Sequence, residues 1–156
     1  MEFAIRPVRA GDAEGVSALI RGLGLFRRLE SEDPQVTTAR ISEHLGMCLA
    51  DDSHSLFVAT RPGKEEPIAY AAVHWLPYLF LTGPEGYLSE LFVAESARDL
   101  GVGTALLDSV VSEARRRGCV RLMLNAVRTR ESYTRGFYTK RGWTEREDMA
   151  NMVFEP

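Results

Sequence analysis

Arg98-Asp99-Leu100-Gly101-Val102-Gly103-Thr104-Ala105 is where the hydrophobic period of this chain changes. Before it, Tyr87 to Val93 (YLSELFV) reads as a buried strand. After it, from Gly101 to Arg117, the period is helical: Ala105, Leu106, Val110 and Ala114 can share one face, with Leu107 and Val111 beside it. A turn holding two glycines between strand and helix lets backbone N–H groups approach an anion, and the helix N-terminus adds the positive end of its dipole. Arg98 supplies a full charge beside them. The arrangement suits a diphosphate, although the same turn chemistry also fits a strand-to-helix connection with no ligand. Two other phosphate motifs are excluded. No Lys-Ser or Lys-Thr pair follows the second glycine, as a P-loop requires, and Leu106 stands where a dinucleotide fingerprint needs its third glycine.

With 156 residues the chain is expected to form a single domain over 1–156, long enough to bury a sizeable core. Hydrophobic residues make up 45% and charged residues 26%, the balance of a globular protein. A net charge of -3 favours neither nucleic acid nor an anionic membrane and mildly favours cationic substrates. Cys48 and Cys119 stand apart from any metal-spaced cluster and read as buried free thiols, so no metal is expected. No apolar run approaches membrane-spanning length and the N-terminus lacks a signal-peptide core, so a cytoplasmic protein is expected.

In order along the chain, Phe3 to Val8 reads as a first strand. Gly11-Asp12 then caps a helix to about Arg28, with Val16, Leu19, Ile20 and Leu23 at helical spacing. Gly22 and Gly24, each costing about 1 kcal/mol in a helix, predict a break near Leu23-Gly24-Leu25. Ser31 to Pro34 is a turn, and Thr37 or Thr38 can cap a second helix through Ala50. Ser55 to Arg61 and Ile68 to Leu76 form a hairpin around Pro62-Gly63-Lys64-Glu65, and Leu79 to Glu85 is a loop. Arg115, Arg116 and Arg117 suit a helix C-terminus and read as a solvated face. Val120 to Ala126 is a strand, Ser132 to Arg141 a helix closed by Gly142, and Trp143 to Phe154 a last strand. The apolar cluster from Trp75 to Phe80 is a candidate homodimer contact.

Arg-x-x-Gly-x-Gly at Arg98 to Gly103, preceded by Leu-Phe-Val and followed by an amphipathic helix, resembles the acetyl-CoA motif of the GNAT superfamily of N-acetyltransferases. Phe137-Tyr138-Thr139-Lys140-Arg141-Gly142-Trp143 is similar to that family's Phe-Tyr-x-x-x-Gly-Phe segment, and the two stand in the family's order. The resemblance implies an α+β GNAT fold, with a mixed, mostly antiparallel central sheet flanked by helices in the order β-α-α-β-β-β-α-β-α-β. It implies acetyl-CoA as co-substrate, its pantetheine arm along the backbone of Leu91, Phe92 and Val93. Its diphosphate would sit on N–H groups within Arg98, Asp99, Leu100, Gly101, Val102, Gly103 and Thr104. Asn125 is a further cofactor candidate, and Arg128 and Arg130 are alternative phosphate contacts. Glu131 stands where the family often has an asparagine seven residues before its tyrosine, which puts one contact to the pantetheine arm in doubt.

The chemistry implied is transfer of an acetyl group to a primary amine of a small molecule or peptide by direct attack, since neither motif holds a cysteine. Tyr138 is the candidate general acid: a phenol with a pKa of about 10 can protonate a thiolate whose parent thiol lies at about 8.5. Glu90, a carboxylate inside an otherwise apolar strand, is the candidate base or a holder of a cationic substrate, because a lone carboxylate buried there is costly. An Arg-paired structural carboxylate would also fit that position. His74 on the neighbouring strand is a second base candidate, or a satisfied core histidine. The familiar Tyr-Leu-acid-acid-Leu-Phe-Val strand of polyamine acetyltransferases has lost its first acid to Ser89, which weakens a polyamine assignment. A non-catalytic acyl-CoA-binding regulatory module, or the same fold using a longer acyl-CoA, is the alternative.

Overall fold

In the computed structural model, which describes residues 2–156, four strands pair antiparallel in the order the chain makes them. They are β1 (Ala4–Pro7), β2 (His54–Thr60), β3 (Pro67–Leu76) and β4 (Glu85–Val93). A fifth, β5 (Arg121–Leu124), lies outside β4. The Val120 N–H donates to the Pro84 carbonyl at 2.9 Å, and Leu122 lies against Gly86. Positions therefore advance together on the two strands, and β5 runs parallel to β4. The result is the expected α+β fold, a mostly antiparallel sheet flanked by helices.

Helices α1 (Ala13–Arg21), α2 (Arg27–Ser31) and α3 (Pro34–Leu49) precede β2, and α4 (Val102–Arg116) joins β4 to β5. Val58, Tyr70 and Phe92 pack in one cluster with Val16 and Leu19 of α1 and Ile41 and Leu45 of α3. Alternate strand residues turn to the other face, where α4 lies against β2, β3 and β4. There α4 buries Val102, Leu106, Leu107, Val110 and Ala114, close to the stripe read from its period; Ala105 stays half-buried.

The first helix breaks where its glycines predict. Gly24 takes φ +69°, a left-handed conformation that glycine adopts without a Cβ penalty, and α2 starts three residues later. The Arg21 guanidinium ties the break together, donating to the carbonyls of Glu32 (2.7 Å) and Leu29 and to Thr37 Oγ1 (3.2 Å). The cap expected at Thr37 or Thr38 lies instead at Asp33, whose carboxylate accepts from the Gln35 N–H at 2.7 Å, with Pro34 opening α3. Thr37 is fully buried and hydrogen-bonds Glu32 and Arg21.

Three further expectations are corrected. Glu85, placed in a loop by its sequence context, is the first residue of β4, fully buried and ion-paired with Arg121 across the β4–β5 step. The three arginines closing α4 are not simply a solvated face. The Arg117 guanidinium lies 4.9 Å from the Trp75 ring centroid and bonds Glu113 (2.7 Å) and Asp52. Cys48 and Cys119 are free but only half-buried.

The chain forms two units, one through Met123 and one of Leu124–Pro156. In the second, the helix expected over Ser132 to Arg141 is interrupted. Helix α5 (Glu131–Thr134) stops before Gly136, whose φ is +70°, and a 3-10 turn follows at Thr139–Arg141. The strand expected over Trp143 to Phe154 does not form. Its four consecutive charged residues, Glu145 to Asp148, break any alternation, and residues 144–156 carry no regular element.

Candidate active site

The loop from β4 to α4 follows an uncommon backbone path. Arg98 is extended, Asp99 takes φ +60° and Gly101 takes φ +81°, so the chain turns left-handed twice within three residues. Aspartate tolerates that region better than most side chains. Gly101 caps α4 without a side-chain hydrogen bond, and a Cβ built there would meet nothing within 4 Å. The N–H groups of Val102 and Gly103 precede the bond from the Ala105 N–H to the Gly101 carbonyl (3.0 Å) and lie at the N-terminus of α4. The N-terminus of a helix attracts an anion.

The strand leading into the loop outruns its neighbour. At the spacing set by Val120 on Pro84 and Leu122 on Gly86, β5 ends at Leu124, level with Leu88. The outer edge of β4 through Leu91, Phe92 and Val93 therefore runs past the end of β5, while the inner edge pairs with Ala71, Tyr70 and Ala69 of β3. An extended amide-bearing arm can lie along such an edge.

One residue earlier the register slips. Ala72 stands opposite Glu90 and Val73 opposite Leu88, so Ser89 is the extra residue of a β-bulge. The bulge turns Leu88 to the α4 side and Glu90, with Phe92, to the α1–α3 side. Without it Leu88 and Glu90 would share one face.

Glu90 is open to solvent, yet desolvation by the protein around it pushes its carboxyl above the ordinary carboxylate range. Tyr70 and Phe92 share its face of the sheet, so protein borders the carboxyl on one side while water reaches it from the other, an arrangement termed the recess. A hydrogen bond from the Tyr70 hydroxyl and the nearby His44 act in the opposite direction. The Tyr70 phenol is itself held protonated by burial and by the Glu90 charge. Cys48, raised mainly by burial, also feels that charge. Phe92 closes one side of the recess, 5.7 Å from the Tyr70 ring, and Phe26 packs edge-on to Phe92 at 5.6 Å.

His74 shares this face of the sheet. Its Nε2 lies 2.9 Å from Ser89 Oγ and its ring 4.4 Å from that of His54. Desolvation and the neighbouring His54 keep it neutral to lower pH than an ordinary histidine. It is a satisfied histidine beside the bulge.

In the C-terminal unit, Tyr138 is half-buried, edge-on to Phe137 at 5.0 Å and to Trp143 at 6.0 Å. Burial raises its phenol, and the charge of Arg130 partly offsets this. Arg128 pairs with Glu145, which also accepts from the Tyr133 hydroxyl at 2.7 Å. Asn125 is exposed just after β5. Tyr70, His44 and Phe26 were not singled out from the chain. Tyr70 looks like one more core aromatic of IAYAAVHWL, and the other two lie on helical segments whose placement over β4 no local pattern reveals. Among the described residues, no three His, Cys, Asp or Glu side chains gather as a metal-ligand set, and no helix is long and apolar enough to cross a membrane.

Comparison with known proteins agrees with this geometry. Residues 23–143 match the acetyltransferase (GNAT) family. Over 154 residues the chain is 27% identical to glucosamine 6-phosphate N-acetyltransferase 1 of Oryza sativa subsp. japonica, covering 97% of this chain and 87% of that protein. Its fold is similar to that of a transcriptional regulator from Bacillus halodurans C-125, with 24% identity, 98% and 100% of the two chains covered and a TM-score of 0.83. An integron cassette protein from the mobile metagenome of V. cholerae gives the same TM-score at 20% identity, with 100% of this chain and 94% of that one covered.

Proposed function

We propose, from the premise that the chain belongs to the acetyltransferase (GNAT) family, that it transfers the acetyl group of acetyl-CoA to a primary amine by direct attack. The observation that carries this reading is the continuity of one strand. The bulge at Ser89 turns Glu90 to the side of α1 and α3, the edge from Leu91 to Val93 runs past the end of β5, and the strand then delivers the left-handed turn into α4.

Acetyl-CoA supplies the acetyl thioester. The α4 N-terminus with Arg98, Gly101, Val102, Gly103 and Thr104 holds its diphosphate, and the backbone of Leu91 to Val93 pairs with its pantetheine amides and polarises the thioester carbonyl. Asp99 contributes a backbone turn rather than a favourable charge. Glu90 takes the proton of the attacking ammonium, directly or through water, which leaves the amine lone pair free to form the C–N bond. Its raised carboxyl is matched to that task. As the C–S bond breaks, the Tyr138 hydroxyl gives its proton to the departing sulfur, and the second proton of the acylated nitrogen passes through water to restore the phenol. Arg130, which favours the phenolate, eases that transfer. The relative that acetylates glucosamine 6-phosphate makes an amino sugar one acceptor to try.

Tyr138→Phe tests the assignment. The variant should lose about 100-fold in kcat while its Kd for acetyl-CoA, measured by calorimetry, stays within about threefold. Unchanged kcat would remove Tyr138 from the mechanism.

A further inference from the structure

We infer that the recess around Glu90 takes a primary amine of single positive charge carried on an apolar, preferably aromatic, body, and that Phe26 is the residue that selects it. The inference rests on the reading that this recess holds the acceptor amine.

Three observations carry it. First, the walls are aromatic and contiguous. Phe26 meets Phe92 edge-on at 5.6 Å, Phe92 meets Tyr70 at 5.7 Å, and Glu90, opposite Ala72, lies on the same face of the sheet as Tyr70 and Phe92. Both phenylalanines are only half-buried, so ring surface remains for another ring to pack against.

Second, no acid adjoins Glu90 along β4. Ser89, the residue before Glu90, is neutral and engaged with His74. Glu32, on the turn between α2 and α3, is taken by Arg40 at 2.5 Å, by Thr37 at 2.7 Å and by Arg28 at 3.9 Å. One carboxylate can pair with one ammonium. A second ammonium on the same ligand would be desolvated without a partner, which is costly.

Third, Phe26 is followed in the chain by the exposed Arg27, which adds positive charge beside the aromatic end of the recess, and by Arg28, which pairs with Glu32. A polyamine would bring like charge to that end. An arylalkylamine brings none.

Phe26 can act as a selector because of where the chain breaks. Gly24 at φ +69° ends the first helical run, and Phe26 is the N-cap of α2. Arg21, bonded to the carbonyls of Leu29 and Glu32, fixes that short helix. Phe26 is thereby held over Phe92 by backbone geometry rather than by a loop free to move away.

The test is equilibrium binding of 2-phenylethylamine, spermidine and glucosamine 6-phosphate to the protein saturated with free CoA, alongside thiol release from acetyl-CoA with the same three amines. The expected result is that 2-phenylethylamine binds at least tenfold more tightly than either other probe. Phe26→Ala should erase at least tenfold of that affinity with less than threefold change for spermidine. Leu25→Ala, at the exposed neighbouring position, should leave the order unchanged. Equal or tighter binding of spermidine or of the sugar phosphate overturns the inference, as does a Phe26→Ala variant that weakens all three amines alike. The thiol assay separates the two claims. Tight, Phe26-dependent binding of 2-phenylethylamine without thiol release would uphold the recess and sink the transfer reading. Release with another amine alone would uphold transfer and sink the recess.

Discussion

Glu90 sets stability against activity within one side chain. Because desolvation raises its carboxyl, the folded protein binds that proton more tightly than the unfolded chain does. Its contribution to stability is therefore lost as pH rises from the ordinary carboxylate range through the raised value. Activity runs the other way, since only the ionised carboxylate accepts a proton. Glu90→Gln should melt at a higher temperature than the parent at pH 8 and at the same temperature at pH 4, while losing about 100-fold in kcat/KM; thermal melts and a pH–rate profile check both. The parent's kcat/KM should rise through the raised carboxyl value, and the variant should lack that limb. Asp12 has the opposite sign. Hydrogen bonds from the Arg6 guanidinium, at 2.8 Å on each oxygen, hold its carboxyl below the ordinary range despite burial. The stability it confers is present above that range and disappears as pH falls through the lowered value. Asp12→Asn should thus lower Tm at pH 7, with the gap closing in acid below pH 3.8.

At the scale of elements, the β4–β5 step and the turn into α4 are the demanding places. A Cβ at Gly86 would lie 2.4 Å from Leu122 Cδ2 and 2.7 Å from the Trp75 ring. Gly86→Ala should cost about 1–3 kcal/mol by overpacking, read from urea unfolding. Gly101→Ala meets no atom but must hold φ +81°, at about 1–2 kcal/mol, and should also weaken acetyl-CoA binding. These constraints explain what the chain disclosed. The strands from Phe3 to Val93, the break at Gly24 and the α4 stripe were legible because period and glycine placement are local signals. The cap at Asp33 was legible too, in Asp-Pro, and was outweighed by Thr37 and Thr38, whose hydroxyls bond Glu32 and Ser17 instead. Glu85 was not legible, since its partner Arg121 lies 36 positions on. The bulge at Ser89 is set by pairing across strands, and nothing in YLSELFV announces it. Tyr70 and Phe26 join Glu90 only when β3 and the start of α2 are brought to β4, so most of the recess had no sequence signature.

For the molecule as a whole, the connection from β3 to β4 leaves Leu79 103% and Phe80 76% exposed, with Tyr78 5.6 Å from the Phe80 ring. Trp75, first grouped with them, is buried under Arg117 and takes no part. We propose this patch as a contact with a second copy; sedimentation should then show a concentration-dependent dimer that Leu79→Glu with Phe80→Glu dissociates. What one strand and the helix after it accomplish together is read by following free thiol released from acetyl-CoA across a panel of arylalkylamines, polyamines, amino sugars and N-terminal peptides. Release that depends on the amine, and that falls about 100-fold in Glu90→Gln, is the predicted result. Acetyl-CoA that binds with no release for any amine, or release unaltered in Glu90→Gln, would contradict it.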